Sequence, residues 1–307
     1  MIEILLATYN GEKYVKELLD SILNQTYQNF KILIRDDGST DATLDIISDY
    51  LKHYPQKIEL LQDAAMCKSP EKNFFQLIGY ADAPYAMFAD QDDVWLPEKL
   101  EIMQKKMQEL EQKQGEEVPA LVFCDYKLVD GQLHELQFDK SKSQIAACHL
   151  ELNRLLVQNY VTGCTVMVNK SLYTKLGAYD EAIEMHDWWA ALHASALGVI
   201  YHLPEQLVLY RQHGNNCVGE VNIKSFKYRI NKFLDKRTRT AQLRYLAQAK
   251  LLLERQDKNL SPDNKKLLND FIAVWKSKCK LKRVYRLLRG RYLKSDLVRI
   301  LGQIWYV

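Results

Sequence analysis

Met87-Phe88-Ala89-Asp90-Gln91-Asp92-Asp93-Val94-Trp95 is the stretch on which the fold turns. A short apolar run, Tyr85 to Ala89, ends in three carboxylates within four residues, and a helical pattern with Pro97 near its start follows at once. Apolar run, acid cluster and helix read as a buried strand, a loop at its C-terminal edge, and a helix. In an open α/β sheet that edge is where ligands bind. Crowded carboxylates repel one another until a cation, a proton or open solvent relieves them. Oxygen ligands with no Cys or His beside them in sequence suit Mg²⁺ or Mn²⁺ rather than zinc. The plainer alternative is one Asp capping the helix and the others solvated.

Upstream, the same grammar repeats. Ile2 to Ala7 is a strand that stops at the turn signal Thr8-Tyr9-Asn10-Gly11, and Tyr14 to Leu23 carries an apolar helical stripe. Phe30 to Ile34 is a second strand, ending in Arg35-Asp36-Asp37-Gly38-Ser39-Thr40-Asp41, with Ser39 or Thr40 placed to cap the helix Leu44 to Leu51. Ile58 to Leu61 reads as strand and Asn73 to Ala81 as helix. This alternation predicts a mostly parallel sheet flanked by helices, wound with right-handed crossovers.

Downstream, Leu100 to Gln114 reads as helix, Pro119 to Cys124 as a strand ending at Asp125, and Thr165 to Val168 as strand. Asp187-Trp188-Trp189 opens a helix, and Val199 to Leu203 and Leu207 to Tyr210 read as two strands. From Ile223 the pattern is helical, broken near Asn259 to Asp263. The expected organisation is an α/β domain over 1–220 and a basic helical region over 221–307.

Charge divides the chain in the same place. Residues 221–307 hold 23 Lys and Arg against 6 Asp and Glu, whereas 1–220 hold 19 against 33. Basic residues alternate there with Phe226, Tyr228, Phe233 and Leu234, and again with Leu281, Val284, Tyr285, Leu287 and Leu288. Such a pattern fits an anionic membrane surface, or a solvated face on a helical hairpin. The acidic front argues against a nucleic-acid partner. No apolar run reaches about 18 residues without a charge, and no signal peptide is evident. The expected location is cytoplasmic, with peripheral contact on the inner face of the membrane. The six cysteines show no C-x-x-C pair and read as reduced, packed thiols.

Three acidic motifs follow apparent strands: Asp36-Asp37, the Asp90–Asp93 cluster, and Asp125. An Asp at a strand end can accept from a ligand N–H, and Thr8-Tyr9 can set an aromatic face beside it. That pair suits uracil or thymine, whose N3 carries a proton. Turn chemistry for Asp36 and core packing for Tyr9 are the rivals. Asp187 stands at the start of a helix between His186 and two tryptophans, as a general base or as an N-cap. Trp189 reads as core. In Tyr210-Arg211-Gln212-His213-Gly214-Asn215-Asn216, Arg211 and His213 suit a diphosphate or a metal, with a solvated polar loop as the alternative.

Together, Ala7-Thr8-Tyr9-Asn10-Gly11, Asp36-Asp37-Gly38-Ser39-Thr40-Asp41, Asp90-Gln91-Asp92-Asp93-Val94-Trp95 and His186-Asp187-Trp188-Trp189 resemble the family-2 inverting glycosyltransferases, over roughly residues 1–217. The resemblance implies the GT-A fold, a Rossmann-like sheet. The two later motifs, around Asp187 and His213, are most similar to bacterial rhamnosyltransferases of surface polysaccharide synthesis. It implies Thr8, Tyr9 and Asp36 on the nucleobase, Asp90 on the ribose, and Asp92 on Mg²⁺ or Mn²⁺. Asp93 then either shares the metal or caps its helix. Asp187 is the base for the acceptor hydroxyl, and Arg211 and His213 lie where a diphosphate or metal contact is expected.

The implied donor is a dTDP- or UDP-linked sugar, with dTDP-rhamnose favoured, and the implied acceptor a glycan or polyprenol-linked hydroxyl. The segment Cys67-Lys68-Ser69-Pro70 departs from the glycine many relatives have before Asn73, and the Q-x-x-R-W motif of processive synthases is absent. The alternatives are a UDP-hexose donor, a nucleotidyltransferase that makes the sugar nucleotide, or a non-catalytic nucleotide-sugar binder. A nucleotidyltransferase usually needs more glycine near the N-terminus than Ala7–Gly11 has. A binder would not need Asp187.

Overall fold

The first six residues of the chain after Met1 are apolar apart from Glu3, and they form the strand around which the sheet is laid down. A computed structural model of the chain describes residues 1–62, 66–136, 147–213, 237–295 and 297–307. In chain order its elements begin with β1 (Ile2–Thr8), α1 (Val15–Leu23), β2 (Phe30–Asp36), α2 (Thr43–His53), β3 (Ile58–Leu60) and α3 (Pro70–Tyr80). Next come β4 (Tyr85–Asp90), β5 (Val94–Trp95), α4 (Lys99–Gln114), β6 (Ala120–Val129), α5 (Leu152–Leu155), β7 (Val166–Asn169), α6 (Lys170–Tyr173), α7 (His186–Leu197) and β8 (Val199–Arg211). Four helices end the chain: α8 (Arg237–Gln256), α9 (Pro262–Lys276), α10 (Lys280–Arg289) and α11 (Leu297–Tyr306).

The described residues divide into two compact units that interleave in sequence. The first takes the described parts of 1–143, 161–179 and 199–219, and the second those of 144–160, 180–198 and 220–307. Residues 144–160 and 180–198 therefore join the C-terminal helices, where a single boundary near residue 220 was expected.

The first unit is an open mixed sheet of eight strands in the order β3-β2-β1-β4-β7-β6-β8-β5. Strands β1, β2, β3 and β4 run parallel, and β7 is antiparallel to both β4 and β6. The parallel strands are nearly continuous apolar runs because helices cover both faces. Val15, Leu18, Leu19 and Ile22 of α1 are buried in the same core as Ile4, Leu6 and Ile32. Register is what positions the site. Parallel pairing sets Thr8 opposite Asp36 and Ala7 opposite Asp90, so both acidic strand ends reach one edge.

Three local expectations are corrected. The N-cap of α2 is Ala42, with no side-chain cap from Ser39 or Thr40; Asp41 accepts from Thr43 N–H at 3.0 Å instead. Asp125 is not at a strand end. Strand β6 continues to Val129 through a register shift at 124–126, which tolerates the Asp mid-strand while its carboxylate pairs with His202 Nε2 at 2.7 Å. The two strands read between Val199 and Tyr210 are one, β8, held parallel to β6 along its length. In α3, Ser69 accepts from Lys72 N–H and Pro70 sits at the first turn.

In the second unit, α7 is buried on almost every side. Trp189 has no exposure, as expected of core, and its backbone carbonyl lies 2.9 Å from His193 Nδ1. Leu268, Phe271, Ile272 and Val274 form the buried stripe of α9, and Tyr292 packs on Phe271 with its hydroxyl donating to the Leu267 carbonyl at 2.7 Å. Phe226, Tyr228, Phe233, Leu234 and the loop Gly214-Asn215-Asn216 lie outside the described residues.

His193 carries a prediction. Burial pulls its pKa down to about 4. Nδ1–H donates to the Trp189 carbonyl, and Nε2 faces the Gln256 amide nitrogen at 3.4 Å, an arrangement for neutral imidazole. The unfolded chain binds the proton near the ordinary value of 6.5 and the folded chain does not. Stability from this group is complete above about pH 6.5 and is lost as pH falls towards 4. Thermal melts from pH 7 downward are expected to show a shallower loss for His193→Gln than for the native chain. Equal slopes would remove His193 from the linkage.

Candidate functional site

The edge of β1, β2 and β4 is built from short side chains bonded to backbone. Asp36 is its hub. Its Oδ1 accepts from the Thr8 hydroxyl at 2.8 Å and the Ser39 hydroxyl at 2.6 Å, and its Oδ2 accepts from the N–H groups of Gly38 at 3.0 Å and Ser39 at 2.7 Å. Gly38 has φ +86°, a conformation glycine adopts without strain. Asp36 is thus both the turn residue and the carboxylate at the strand end. Tyr9 is not core, since 56% of it is exposed just beyond β1. Beneath this edge, Arg35 is fully buried, donates to Asn73 Oδ1 at 2.9 Å and lies 3.6 Å from Asp37, whose carboxylate accepts from Cys67 N–H.

Gln91 links this turn to the acidic loop. Its amide accepts from Tyr9 N–H and donates to the Tyr9 carbonyl, each at 2.9 Å. Gly11 lies against that amide: a Cβ there would stand 2.3 Å from Gln91 Oε1.

The acidic loop is braced from both sides. Arg211, at the end of β8, is 1% exposed and its guanidinium is committed within the chain. It donates to the carbonyls of Asp92 and Gly131, each at 2.7 Å, and to the Glu17 carboxylate, while stacking over the Tyr14 ring at 4.3 Å. Its backbone N–H donates to Asp93 Oδ1 at 3.1 Å. These contacts make Arg211 a brace for the loop; the diphosphate contact expected of it would need donors now directed at the protein. His213 stacks on Tyr14 at 5.0 Å, and its Nε2 lies 2.8 Å from Asp92 Oδ2. From below, Lys99 is completely buried, donates to the Cys164 carbonyl at 2.6 Å and sits 3.2 Å from the Trp95 ring centre.

Charge in this loop is not balanced. Burial, then the charge of Asp92, pushes Asp93 up to about 7, while burial pulls Lys99 down to about 8. Asp93 is 1% exposed, and the Cys164 thiol is a hydrogen-bond neighbour of its carboxylate. Ligand atoms of Asp90, Asp93 and Cys164 lie within 4.8 Å of one another. Burial raises the Cys164 thiol well above its ordinary value, so it stays protonated and the remaining donors of that group are the carboxylates of Asp90 and Asp93. That set fits Mg²⁺ or Mn²⁺. A cation held by Asp92 and His213 would take the place of the hydrogen bond between Asp92 Oδ2 and His213 Nε2.

Asp187 belongs to the second unit. It is the second residue of α7 and is buried, and the N-cap position is held by Met185, which makes no side-chain capping bond. Its Oδ1 accepts from Trp188 N–H at 2.5 Å. Trp188 is held by Nε1–H donation to the Leu155 carbonyl at 2.6 Å and by Tyr245 packed edge-on at 5.1 Å. Burial lowers the neighbouring His186 to about 3, so that imidazole is neutral.

Comparison with known proteins bears on what this edge is. Residues 3–114 match Glycosyl transferase family 2. The dTDP-rhamnosyl transferase RfbG of Shigella flexneri is 30% identical over 242 residues, covering 72% of this chain and 75% of RfbG. The chain belongs to glycosyl transferase family 2. An uncharacterized glycosyltransferase of Rickettsia typhi is 29% identical over 69% of the chain, which spans only 64% of that relative's length.

Among solved structures, Staphylococcus aureus TarS in complex with UDP superposes with a TM-score of 0.59 at 17% identity, over 98% of this chain and 86% of the other. A Pyrobaculum calidifontis mannosyltransferase, PcManGT, in complex with GDP-Man and Mn²⁺, gives 0.53 at 14% over 99% and 86%. At these identities the likeness is one of fold, the GT-A-like architecture.

In this family-2 chain, the structure brings Thr8, Tyr9, Asp36, Asp90, Asp92, Asp93, Arg211 and His213, each named from the sequence, to one sheet edge. Sequence reading missed Gln91, Lys99, Glu17 and Tyr14. Gln91 and Lys99 were hidden by polar surroundings, and Glu17 and Tyr14 reach the loop only through tertiary packing.

The Gln91–Gly11 contact gives the next prediction. Gly11→Ala should push the Gln91 amide off Tyr9 and lower stability by about 1–2 kcal/mol, as should Gln91→Ala. Because both act by removing the same two bonds, the double variant should cost little more than either alone. Additive losses in chemical denaturation would show that Gly11 matters for another reason.

Proposed function

We propose that the protein is a metal-dependent inverting glycosyltransferase that moves a sugar from a nucleoside diphosphate to a hydroxyl of a glycan or polyprenol-linked acceptor. The observation that carries this reading is the pairing of two groups at one sheet edge of a family-2 chain. One is the Thr8–Tyr9–Asp36 turn, and the other is the Asp90–Asp93 loop with His213 on Asp92. The favoured donor is dTDP-L-rhamnose, supported by the 30% identity to a protein named as a dTDP-rhamnosyl transferase.

In this reading Tyr9 offers its exposed ring to the base and Asp36 accepts from N3–H. The Thr8 and Ser39 hydroxyls rotate aside at little cost, since a hydroxyl can redirect its single proton. Asp90 faces the ribose. Asp92, Asp93 and His213 hold Mg²⁺ or Mn²⁺, which when bound neutralises charge developing on the leaving diphosphate. Arg211 and Lys99 hold the loop in shape. Asp187 takes the acceptor's proton as its oxygen attacks the anomeric carbon, and the bond from that carbon to the diphosphate oxygen breaks. One direct displacement inverts the centre. Positioned base catalysis contributes about 10²–10⁴-fold.

Free nucleoside diphosphate, not pyrophosphate, should accumulate when the protein is given a panel of nucleotide sugars and acceptors with Mn²⁺ or Mg²⁺. Asp187→Asn should keep nucleotide and metal binding but lose about 10²-fold or more in transfer. Asp92→Asn should lose metal-dependent nucleotide binding. Full activity after chelation, or near-normal transfer by Asp187→Asn, would refute the corresponding role.

Base selection tests Asp36. Calorimetry should show dTDP and UDP binding, and CDP, which lacks the N3 proton, binding more weakly by about 1–3 kcal/mol. Equal affinities for CDP and dTDP would take Asp36 out of the nucleobase site.

A further inference from the structure

The last two helices expose apolar side chains that a water-facing surface has no use for. On α10, Leu281, Tyr285 and Leu288 are 80, 61 and 47% exposed, and on α11, Leu297, Leu301 and Trp305 are 78, 60 and 60% exposed. Their spacing puts each set on one helical face. The opposite faces are already used: Leu287 is buried on α10, and Gln303 of α11 donates to the Tyr292 carbonyl at 2.8 Å. The chain turns between the helices, and the end of α11 returns to the start of α10, where Lys280 Nζ donates to the Trp305 carbonyl at 2.8 Å and lies 5.2 Å from its ring centre. The two apolar faces therefore belong to one hairpin.

Charge identifies what such a hairpin meets. Residues 276–307 contain ten Lys and Arg and a single acidic residue, Asp296. Two copies of this surface facing each other would oppose like charges. Nucleic acid would answer the charge but leave the aliphatic side chains in water. A bilayer of anionic lipids answers both, with phosphates for the cations and the acyl boundary for Leu, Tyr and Trp. Each ten-residue helix is about 15 Å long, half of the roughly 30 Å hydrocarbon core. Among the described residues no helix is long and apolar enough to cross a membrane. A hairpin of this length suits the interface of a bilayer and not its full thickness.

We propose that α10 and α11 form an amphipathic anchor that seats on an anionic bilayer, with Leu281, Tyr285, Leu288, Leu297, Leu301 and Trp305 entering the headgroup–acyl boundary. Sequence pattern had pointed to the basic face of residues 281–288; the exposed apolar side chains of α11 are what the structure adds. Vesicle binding is read without turnover, so its failure would leave the transfer reading standing.

The full chain should co-sediment with phosphatidylglycerol vesicles and much less with phosphatidylcholine vesicles. Part of the binding should survive about 0.5 M salt, where Coulomb attraction is screened. The triple variant Leu297→Ser, Leu301→Ser, Trp305→Ser should lose that salt-resistant part, by about tenfold or more. Its dTDP affinity and melting temperature should be unchanged. Without any variant that could perturb folding, brominated acyl chains should quench native tryptophan fluorescence, and Trp305→Phe should abolish the quenching. The proposal is overturned if salt removes all binding, or if the triple variant binds as the native chain does. It is also overturned if the native chain ignores vesicles, whether it forms a dimer that the triple variant dissolves or prefers an oligonucleotide.

Discussion

Repulsion among Asp90, Asp92 and Asp93 is the constraint that shapes the first unit. Three carboxylates crowded at a strand end would drive the loop apart if nothing held it. The chain answers with two buried cations. Arg211 grips the backbone of Asp92 and Gly131 and pairs with Glu17, while Lys99 sits below on the Trp95 ring. A buried guanidinium or ammonium is costly unless its donors are satisfied, and here backbone carbonyls, a carboxylate and aromatic faces satisfy them. Burial, then the charge of Asp92, still holds Asp93 above the usual carboxylate range.

That loop is useful only because a second one lies beside it. Parallel register brings the ends of β1, β2 and β4 together, and Gln91 bonds the acidic loop to the Tyr9 backbone through both ends of its amide. A glycine at position 11 leaves room for that amide. Under the proposed reading, the aromatic and carboxylate contacts to a nucleobase and the ligands for a divalent cation are parts of one rigid edge. Such preorganisation lowers the cost of binding a charged, flexible donor.

The second unit follows a different logic. Helix α7 is buried nearly all round, so Asp187 starts a helix fixed by Trp188, Trp189 and His193 rather than by exposed capping chemistry. Helix α9 buries a stripe, whereas α10 and α11 bury Leu287 and Gln303 and leave the rest to a basic, apolar surface. Packing and charge are thus separated along the same helices, with stability on one side and the proposed bilayer contact on the other.

Much was legible before any coordinates. Alternating apolar runs and helical stripes predicted the parallel half of the sheet, because a strand buried on both faces is mostly apolar. Acidic residues immediately after such runs marked the candidate edge, because a carboxylate inside such a strand needs partners of its own, as Glu3 has in the N–H groups of Asp82 and Ala83. Where local pattern was weak, tertiary pairing decided. Asp125 reads as a strand end yet sits mid-strand, since the bulge and His202 accommodate it. Arg211 reads as an anion ligand yet becomes an internal brace, since its partners Glu17 and Gly131 are distant in sequence. Interleaving of the two units was equally invisible, because it depends on which surfaces segments 144–160 and 180–198 bury. Sequence by itself determined the order of elements and the chemistry at their ends, both set by short-range pattern. Only the tertiary structure decided which of those ends share a site and which charged groups are partners, because long-range contacts fix burial and pairing.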